Sequence, residues 1–297
     1  MLRYLVDDPE LTERSPGEEL AVAASRAGAA GTAEVTVNGP LTTRFPLAST
    51  RPRPPVRDLL KVATVRDESV AFVAELRADG HGRTADTAYR ATPEAHLRPQ
   101  AVKAALTTLA VDVPVPDEIC ADPAVLARFV DHRVIVRMCT VENDVLLNGS
   151  ADGVVTGLLE LPDPRRLTGG GDLLGTLMAA AADVEDQGGS CDALVMHPRL
   201  YWQLVALGAL SSVDTAGLRI TRTRMIAPDR VLLGDFRAAV TLLDGGTSTL
   251  ALRRADAASG SAVVSARMRV GLAVHLPQHF VQLSLDPTTL PPVLGVE

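Results

Sequence analysis

The 297-residue chain is 46% apolar, enough for a sizeable core in one large or two ordinary domains. Only 3% is aromatic, so that core must be built mainly from Leu, Val and Ala. A net charge of −7 and a pI near 5.4 argue against a surface specialised for gripping nucleic acid. No stretch approaches the roughly 18 consecutive apolar residues of a membrane span. Met1 to Glu10 lacks the apolar region of a secretory signal. The three widely spaced cysteines, Cys120, Cys139 and Cys191, fit a reduced cytoplasmic setting.

Residues 1–55 differ from the rest. Asp7 to Glu19 is acidic and broken by Pro9 and Pro16, and Ala21 to Ala33 is rich in small residues. Glu34 to Gly39 reads as a short strand and turn, and Arg51-Pro52-Arg53-Pro54-Pro55 cannot continue a helix. The expectation is an arm or linker.

From Val56 the pattern is regular. Ser69 to Ala74 and Val102 to Val115 are strand-like, and the polar stretch Arg77 to Pro99 joins them, which predicts an extended hairpin. So long a connection is rare in a compact domain unless it has a role. Asp122 is a good N-cap and Pro123 suits the first helical position. Apolar residues then recur at helical spacing from Val125 through Val130 and Val134 to Leu147, and Gly149 is placed for a left-handed cap. That predicts a helix of about 25 residues, close to 37 Å long.

Asp172 caps a further helix to about Asp186, Ala193 to Met196 reads as a strand, and Pro198 opens a helix carrying Tyr201 and Trp202. Strands are expected at Leu218 to Ile220, Arg230 to Leu233, Ala239 to Leu243, Thr249 to Arg253, Ala262 to Leu276 and His279 to Leu285. No repeat of 20 to 50 residues is visible.

Candidate chemistry is sparse. Gly169, Gly170 and Gly171 lack the Lys and Ser/Thr of a phosphate loop, and Leu174 stands where a dinucleotide fingerprint needs glycine, so they read as a helix-entry turn. His275 and His279 are four apart, but Pro277 lies between them in a strand context, which removes the helical meaning of that spacing. No Cys-x-x-Cys pair supports a zinc site. Glu142, among apolar helix neighbours, reads as a carboxylate paired with Arg137 or another arginine rather than as an acid or base. Tyr201 and Trp202 read as core anchors. No catalytic, cofactor-binding or metal-ligating residue is assigned, and no cofactor is expected.

Several motifs occur together in order. Val56-Arg57-Asp58-Leu59-Leu60 is followed by Ser69-x-x-Phe72-Val73, then Pro93-Glu94, then Pro116-x-x-Ile119-x-x-Asp122-Pro123-x-x-Leu126-x-x-Phe129-Val130-x-x-Arg133. Glu142-x-x-x-Leu146-Leu147-Asn148-Gly149, His197-Pro198-x-x-Tyr201-Trp202, Gly217-Leu218 and Gly234-Asp235-Phe236 follow. From about Val56 to Leu285 the chain resembles the Hong Kong 97-type phage major capsid and encapsulin shell superfamily.

The resemblance implies an α+β capsid fold with an extended-loop hairpin, a peripheral domain with a long spine helix, and an axial domain. It implies an N-terminal arm over 1–55, extended loop over 56–110, peripheral domain over 111–161, axial domain over 162–237, and returning peripheral strands with a C-terminal tail over 238–297. Relatives that cross-link subunits use a lysine near the loop tip and an asparagine in the peripheral domain. Arg77 to Pro99 has no lysine and Gly260 to Arg267 no asparagine, so that cross-link is not expected. Residues 1–55 also show too little helical periodicity for the scaffolding segment of many phage relatives.

The implied function is a self-assembling icosahedral shell, not an enzyme. The leading form is an encapsulin-like nanocompartment in the cytoplasm, its partners being further copies of the chain and an encapsulated cargo protein, with no membrane. The alternative is the major capsid protein of a tailed phage or prophage, located in the virion, with packaged double-stranded DNA and scaffold protein as partners. A minor alternative is an enzyme with a cryptic site at Cys191 or His197.

Overall fold

Ser15 and Glu18 set the first element. Glu18 N–H donates to Ser15 Oγ and Ser15 N–H donates to Glu18 Oε2, both at 3.1 Å, a reciprocal cap with Pro16 at the first helical position. Helix α1 (Pro16–Ala27) follows, with Leu20, Ala21 and Ala24 on its buried face. The computed structural model describes residues 14–28, 31–42, 55–77, 97–162, 165–169, 171–254 and 261–286.

The later elements are β1 (Ala33–Asn38), a 3-10 turn (Val56–Leu59), β2 (Lys61–Thr64), β3 (Ser69–Arg77), β4 (Leu97–Ala105) and β5 (Thr107–Pro116). Helix α2 (Asp117–Ala121) precedes the long helix, which runs as α3 (Pro123–Phe129), a π turn (Val130–Val134) and α4 (Ile135–Asn148). Then come β6 (Arg165–Gly169), α5 (Leu173–Glu185), β7 (Ala193–Met196), α6 (Pro198–Ala206), α7 (Leu210–Thr215), β8 (Arg219–Arg222), β9 (Arg230–Gly234), β10 (Val240–Arg253), β11 (Ser261–Val274) and β12 (Phe280–Leu285).

The chain divides into two units. The first comprises Met1–Thr43, Thr108–Val141 and Gly245–Arg269. Within it α1 packs on α3, and β1 pairs antiparallel with β10 from Ala33 opposite Leu252 to Asn38 opposite Thr247. β10 neighbours β11, and β11 neighbours β5. Leu20, Leu126, Val130, Met138, Leu250 and Val264 are fully buried there. Each such side chain contributes roughly 1.5–3 kcal/mol relative to remaining in water.

The second unit comprises Arg44–Thr107, Glu142–Asp244 and Val270–Glu297. Its five-stranded sheet has the order β6-β12-β9-β7-β8, with parallel pairs at both edges and antiparallel pairs between. Helices α5 and α6 bury Leu173, Leu177, Val184, Leu200 and Leu204 in one cluster with Leu194, Val231 and Val281 of the sheet. The β3–β4 hairpin belongs to the same unit, in register from Ser69 opposite Ala105 to Arg77 opposite Leu97. β2 runs parallel to the first residues of β10, Thr241 to Asp244.

The long helix starts and stops where its caps require. Asp122 Oδ1 accepts from Ala124 N–H at 2.8 Å, and Gly149, at φ +87°, ends it with its N–H donating to Val145 O at 2.9 Å. Gly157 is required beside that end, because a Cβ there would run into Leu147 O and Gly149 N.

Several expectations need correction. The segment read as an arm contributes α1 and β1 to the first unit, and Leu20 within it is fully buried. Alanine-rich composition concealed the helix, although Ser15-x-x-Glu18 is a legible start signal. The strand-like run Val102 to Val115 is two strands, β4 and β5, parted at Leu106. The two strands expected from Ala239 to Arg253 are one, because Gly245-Gly246 does not break it: Gly246 takes φ +76° within the strand and its carbonyl accepts from Gly39 N–H at 2.9 Å. The long helix also carries a π turn that apolar periodicity did not reveal. Most of the hairpin tip, with Pro93-Glu94, lies outside the described residues.

Candidate functional site

The most concentrated polar chemistry lies where the 3-10 turn ahead of β2 meets the end of the long helix, within the second unit. Pro55 precedes the 3-10 turn Val56–Leu59, which presents Val56 N–H and the Arg57 side chain to the end of the long helix. Val56 N–H donates to Asn143 Oδ1 at 2.8 Å. Arg57 donates from Nε at 2.9 Å and from Nη2 at 2.7 Å to Glu142 Oε1, and from Nη1 at 2.7 Å to Asp244 Oδ2 on β10. Adjacent helix residues thus hold adjacent turn residues, and one guanidinium ties three chain segments together.

All three charged groups are buried, Glu142 completely. Burial pushes Glu142 above the usual carboxylate range, against the opposing pull of Arg57. Burial also pulls Arg57 down, but the two carboxylates outweigh it and hold the guanidinium above its ordinary value. Glu142 Oε2 has no hydrogen-bond partner among the described residues. Two carboxylates on one cation make a tight clamp at substantial desolvation cost, and removal of the cation would leave both buried without compensation.

His275 lies against β3 of the hairpin. Its Nδ1 donates to Val73 O at 3.1 Å, its Nε2 meets Thr241 Oγ1 at 3.1 Å, and its ring stands edge-on to Phe72 at 5.2 Å between centroids. Glu75 N–H donates to His275 O at 2.7 Å. At the start of β5, Thr107 Oγ1 donates to Asp152 Oδ2 at 2.7 Å, fixing the loop that follows the long helix. These contacts hold β3 along Phe72 to Glu75 and tie the start of β5 to the loop after the long helix.

Glu142 is therefore partnered by Arg57, not by Arg137 on its own helix. Nothing local in the sequence marks Arg57 and Asp244 as charged partners, because the bonds of Arg57 reach 85 and 187 positions along the chain. Cys191 and His197 flank β7 at its two ends and are not brought together. The Cys191 thiol is pushed up to about 12, chiefly by burial, which makes it a poor nucleophile. Burial likewise raises Cys120. Gly171, at φ +85°, leads into Asp172, whose Oδ1 accepts from Leu174 N–H at 3.1 Å: a helix entry, as expected. Tyr201 is buried, but Trp202 is 57% exposed and so is not the core anchor expected.

No family model matches the sequence, and no curated protein matches it. Solved structures do share the fold. A structure from Mycobacterium phage Bobi aligns at a TM-score of 0.59 and 12% identity over 82% of this chain and 93% of that one. The capsid of a native GTA particle aligns at 0.57 and 16% identity over 82% and 93%. The virus-like particle from Pyrococcus furiosus aligns at 0.53 and 13% identity over 77% and 91%. The chain has the α+β Hong Kong 97-type capsid fold, with the long helix as its spine and the β3–β4 hairpin as its extended loop.

Proposed function

We propose that this chain is a self-assembling shell protein whose copies close into an icosahedral container, in the form of an encapsulin-like nanocompartment enclosing a protein cargo. The observation that carries the reading is the likeness to a virus-like particle and to a GTA capsid across more than nine-tenths of those chains. A hairpin held along β3 by His275 suits a protein that reaches across neighbours, since closed symmetry uses one set of contacts many times. In this reading residues 56–110 form the extended loop, 111–161 and 238–297 the peripheral domain, and 162–237 the axial domain. The chain's two lysines, Lys61 and Lys103, lie on β2 and β4, away from the tip, so the shell is held by non-covalent contacts. Its setting is the cytoplasm.

A second reading is favoured by the GTA and phage structures among the fold's relatives: a major capsid protein of a tailed phage or prophage, enclosing double-stranded DNA and located in the virion. A catalytic role has little support, because the Cys191 thiol is buried and remote from His197 along β7. Electron microscopy of the chain expressed alone tests the reading. Closed, uniform particles holding protein and no DNA are expected. Particles that need a scaffold protein and hold DNA would favour the phage capsid, and a chain that never associates would overturn both.

A further inference from the structure

The second unit carries two surface patches that its own fold leaves unused. The first is cationic and aromatic. Trp202, the single tryptophan of the chain, stands edge-on to Tyr201 at 5.5 Å between centroids. The Arg222 guanidinium lies 4.1 Å from the Tyr201 ring centre and 5.5 Å from that of Trp202. Leu207, just beyond the end of α6, is 62% exposed. Arg199 and Arg224 are exposed, and neither has a carboxylate partner among the described residues. Both charges converge on His197 and, after burial, help to hold its pKa below the ordinary value. Exposed Trp and Arg on a rigid, pre-packed aromatic base is the composition of an interface centre.

The second patch is acidic. Helix α5 ends at Asp183, Glu185 and Asp186, with no basic residue in its last turn. Carboxylates at a helix C-terminus oppose the helix dipole, so this end favours an external cation. Arg165 pairs with Asp183, while Glu185 and Asp186 are exposed.

The sheet sets where the patches lie. Arg222 is the last residue of β8, one edge strand, and Arg165 is the first residue of β6, the other edge strand. At about 4.8 Å per strand, four steps separate the two edges by roughly 19 Å. The strands β6, β12, β7 and β8 run in one direction and β9 in the other, so the patches also stand at opposite ends of the sheet. Complementary patches on different sides of one molecule cannot satisfy each other within it. Repeated head to tail, they form a heterologous contact, which generates a ring where the rotation between copies closes.

We infer that the Trp202–Arg199–Arg224 face of one copy docks on the Glu185–Asp186 helix end of the next, as the ring-forming contact between neighbouring subunits. The inference rests on the shell reading and names the partner surface within it. A second copy is the occupant because it supplies the acidic complement, with carboxylates for the two arginines and a face that covers the tryptophan. Such contacts weaken as salt rises.

The chain provides its own probe through its single tryptophan. In assembled particles, Trp202 emission is expected to shift to the blue and to become severalfold less accessible to acrylamide than in dissociated subunits. Arg199→Glu with Arg224→Glu is expected to abolish particles while the circular dichroism spectrum is retained. Adding Glu185→Arg and Asp186→Arg to that variant is expected to restore them, which separates a lost contact from a lost fold. Particles in which Trp202 stays equally quenchable, or a double variant that assembles normally, would overturn the contact and leave the shell reading standing. Protection of Trp202 only when nucleic acid is packaged would also overturn it. A wild-type chain that stays monomeric under every condition overturns the shell reading together with the contact.

Discussion

Arg57 and Glu142 lie 85 residues apart in the chain, yet two nitrogens of the arginine converge on one carboxylate oxygen, Oε1, at 2.9 and 2.7 Å. The third bond of the fork reaches Asp244 on β10. A residue in the turn before the hairpin thus reads out whether the end of the long helix and the start of β10 are both in place. No isolated salt bridge on a protein surface could do this, because exposed pairs contribute about 0–1 kcal/mol.

Replacing Arg57 by Ala leaves Glu142 and Asp244 buried beside each other without their shared cation. The expected loss is about 3–5 kcal/mol. Arg57→Lys keeps the charge but not the planar fork, so it should fall between wild type and Arg57→Ala. Glu142→Gln keeps an acceptor for Arg57 and removes one of the two negative charges, so its cost should stay within about 1 kcal/mol. Urea unfolding of dissociated subunits measures the series. Equal midpoints for Arg57→Ala and wild type would show that the triad contributes nothing.

His197 gives the fold a pH dependence with a definite sign. It caps α6, its Nδ1 accepting from Arg199 N–H at 3.2 Å, a role open only to the neutral ring. Burial, and then Arg199 and Arg224, hold its pKa below the ordinary imidazole value. The unfolded chain takes up a proton near pH ~6.5, before the folded chain does. Stability from this group is therefore present in full above that value, and is lost as pH falls from there through the lowered folded value. His197→Asn keeps a capping acceptor and cannot titrate. Melting temperatures between pH 8 and pH 5 should show wild type losing more than the variant. Two parallel curves would refute the role of His197.

Legibility of the fold followed the range of its interactions. The cap at Asp122, the stop at Gly149, α5 and the opening of α6 at Pro198 are fixed by neighbours in sequence, and the sequence places each within a residue or two. Apart from α1, whose cap is local, and the π turn, the elements that sequence does not reveal depend on distant partners. β2 and β6 are short strands held by pairing with β10 and β12, far along the chain. β10 stays continuous across two glycines because β1 and β2 lie against it. The site was legible only in part. Glu142 was marked as a paired carboxylate, but its partner came from another segment, and the exposed Trp202 has the same residue type and helical setting as a buried one.

Gly17 offers the sharpest test of how α1 is seated. Its N–H donates to Asp131 Oδ1 at 2.8 Å, and Ser15 Oγ donates to Asp131 Oδ2 at 2.6 Å, so one carboxylate in the π turn holds the first turn of α1. A Cβ on Gly17 would run into Ala127 O and lie 2.7 Å from Asp131 Oδ1. In an isolated helix Gly→Ala stabilises by about 0.5–1 kcal/mol. Here the sign should reverse, because neither a backbone carbonyl of α3 nor a carboxylate held by two donors can retreat without breaking those bonds. Overpacking of this kind costs about 1–3 kcal/mol. Gly17→Ala should therefore lower the unfolding midpoint and speed amide exchange across Leu20 to Ala24, with exchange in β7 unchanged. A variant more stable than wild type would mean that α1 follows its intrinsic propensity and is not pressed against α3, which would remove Leu20 from the core of the first unit.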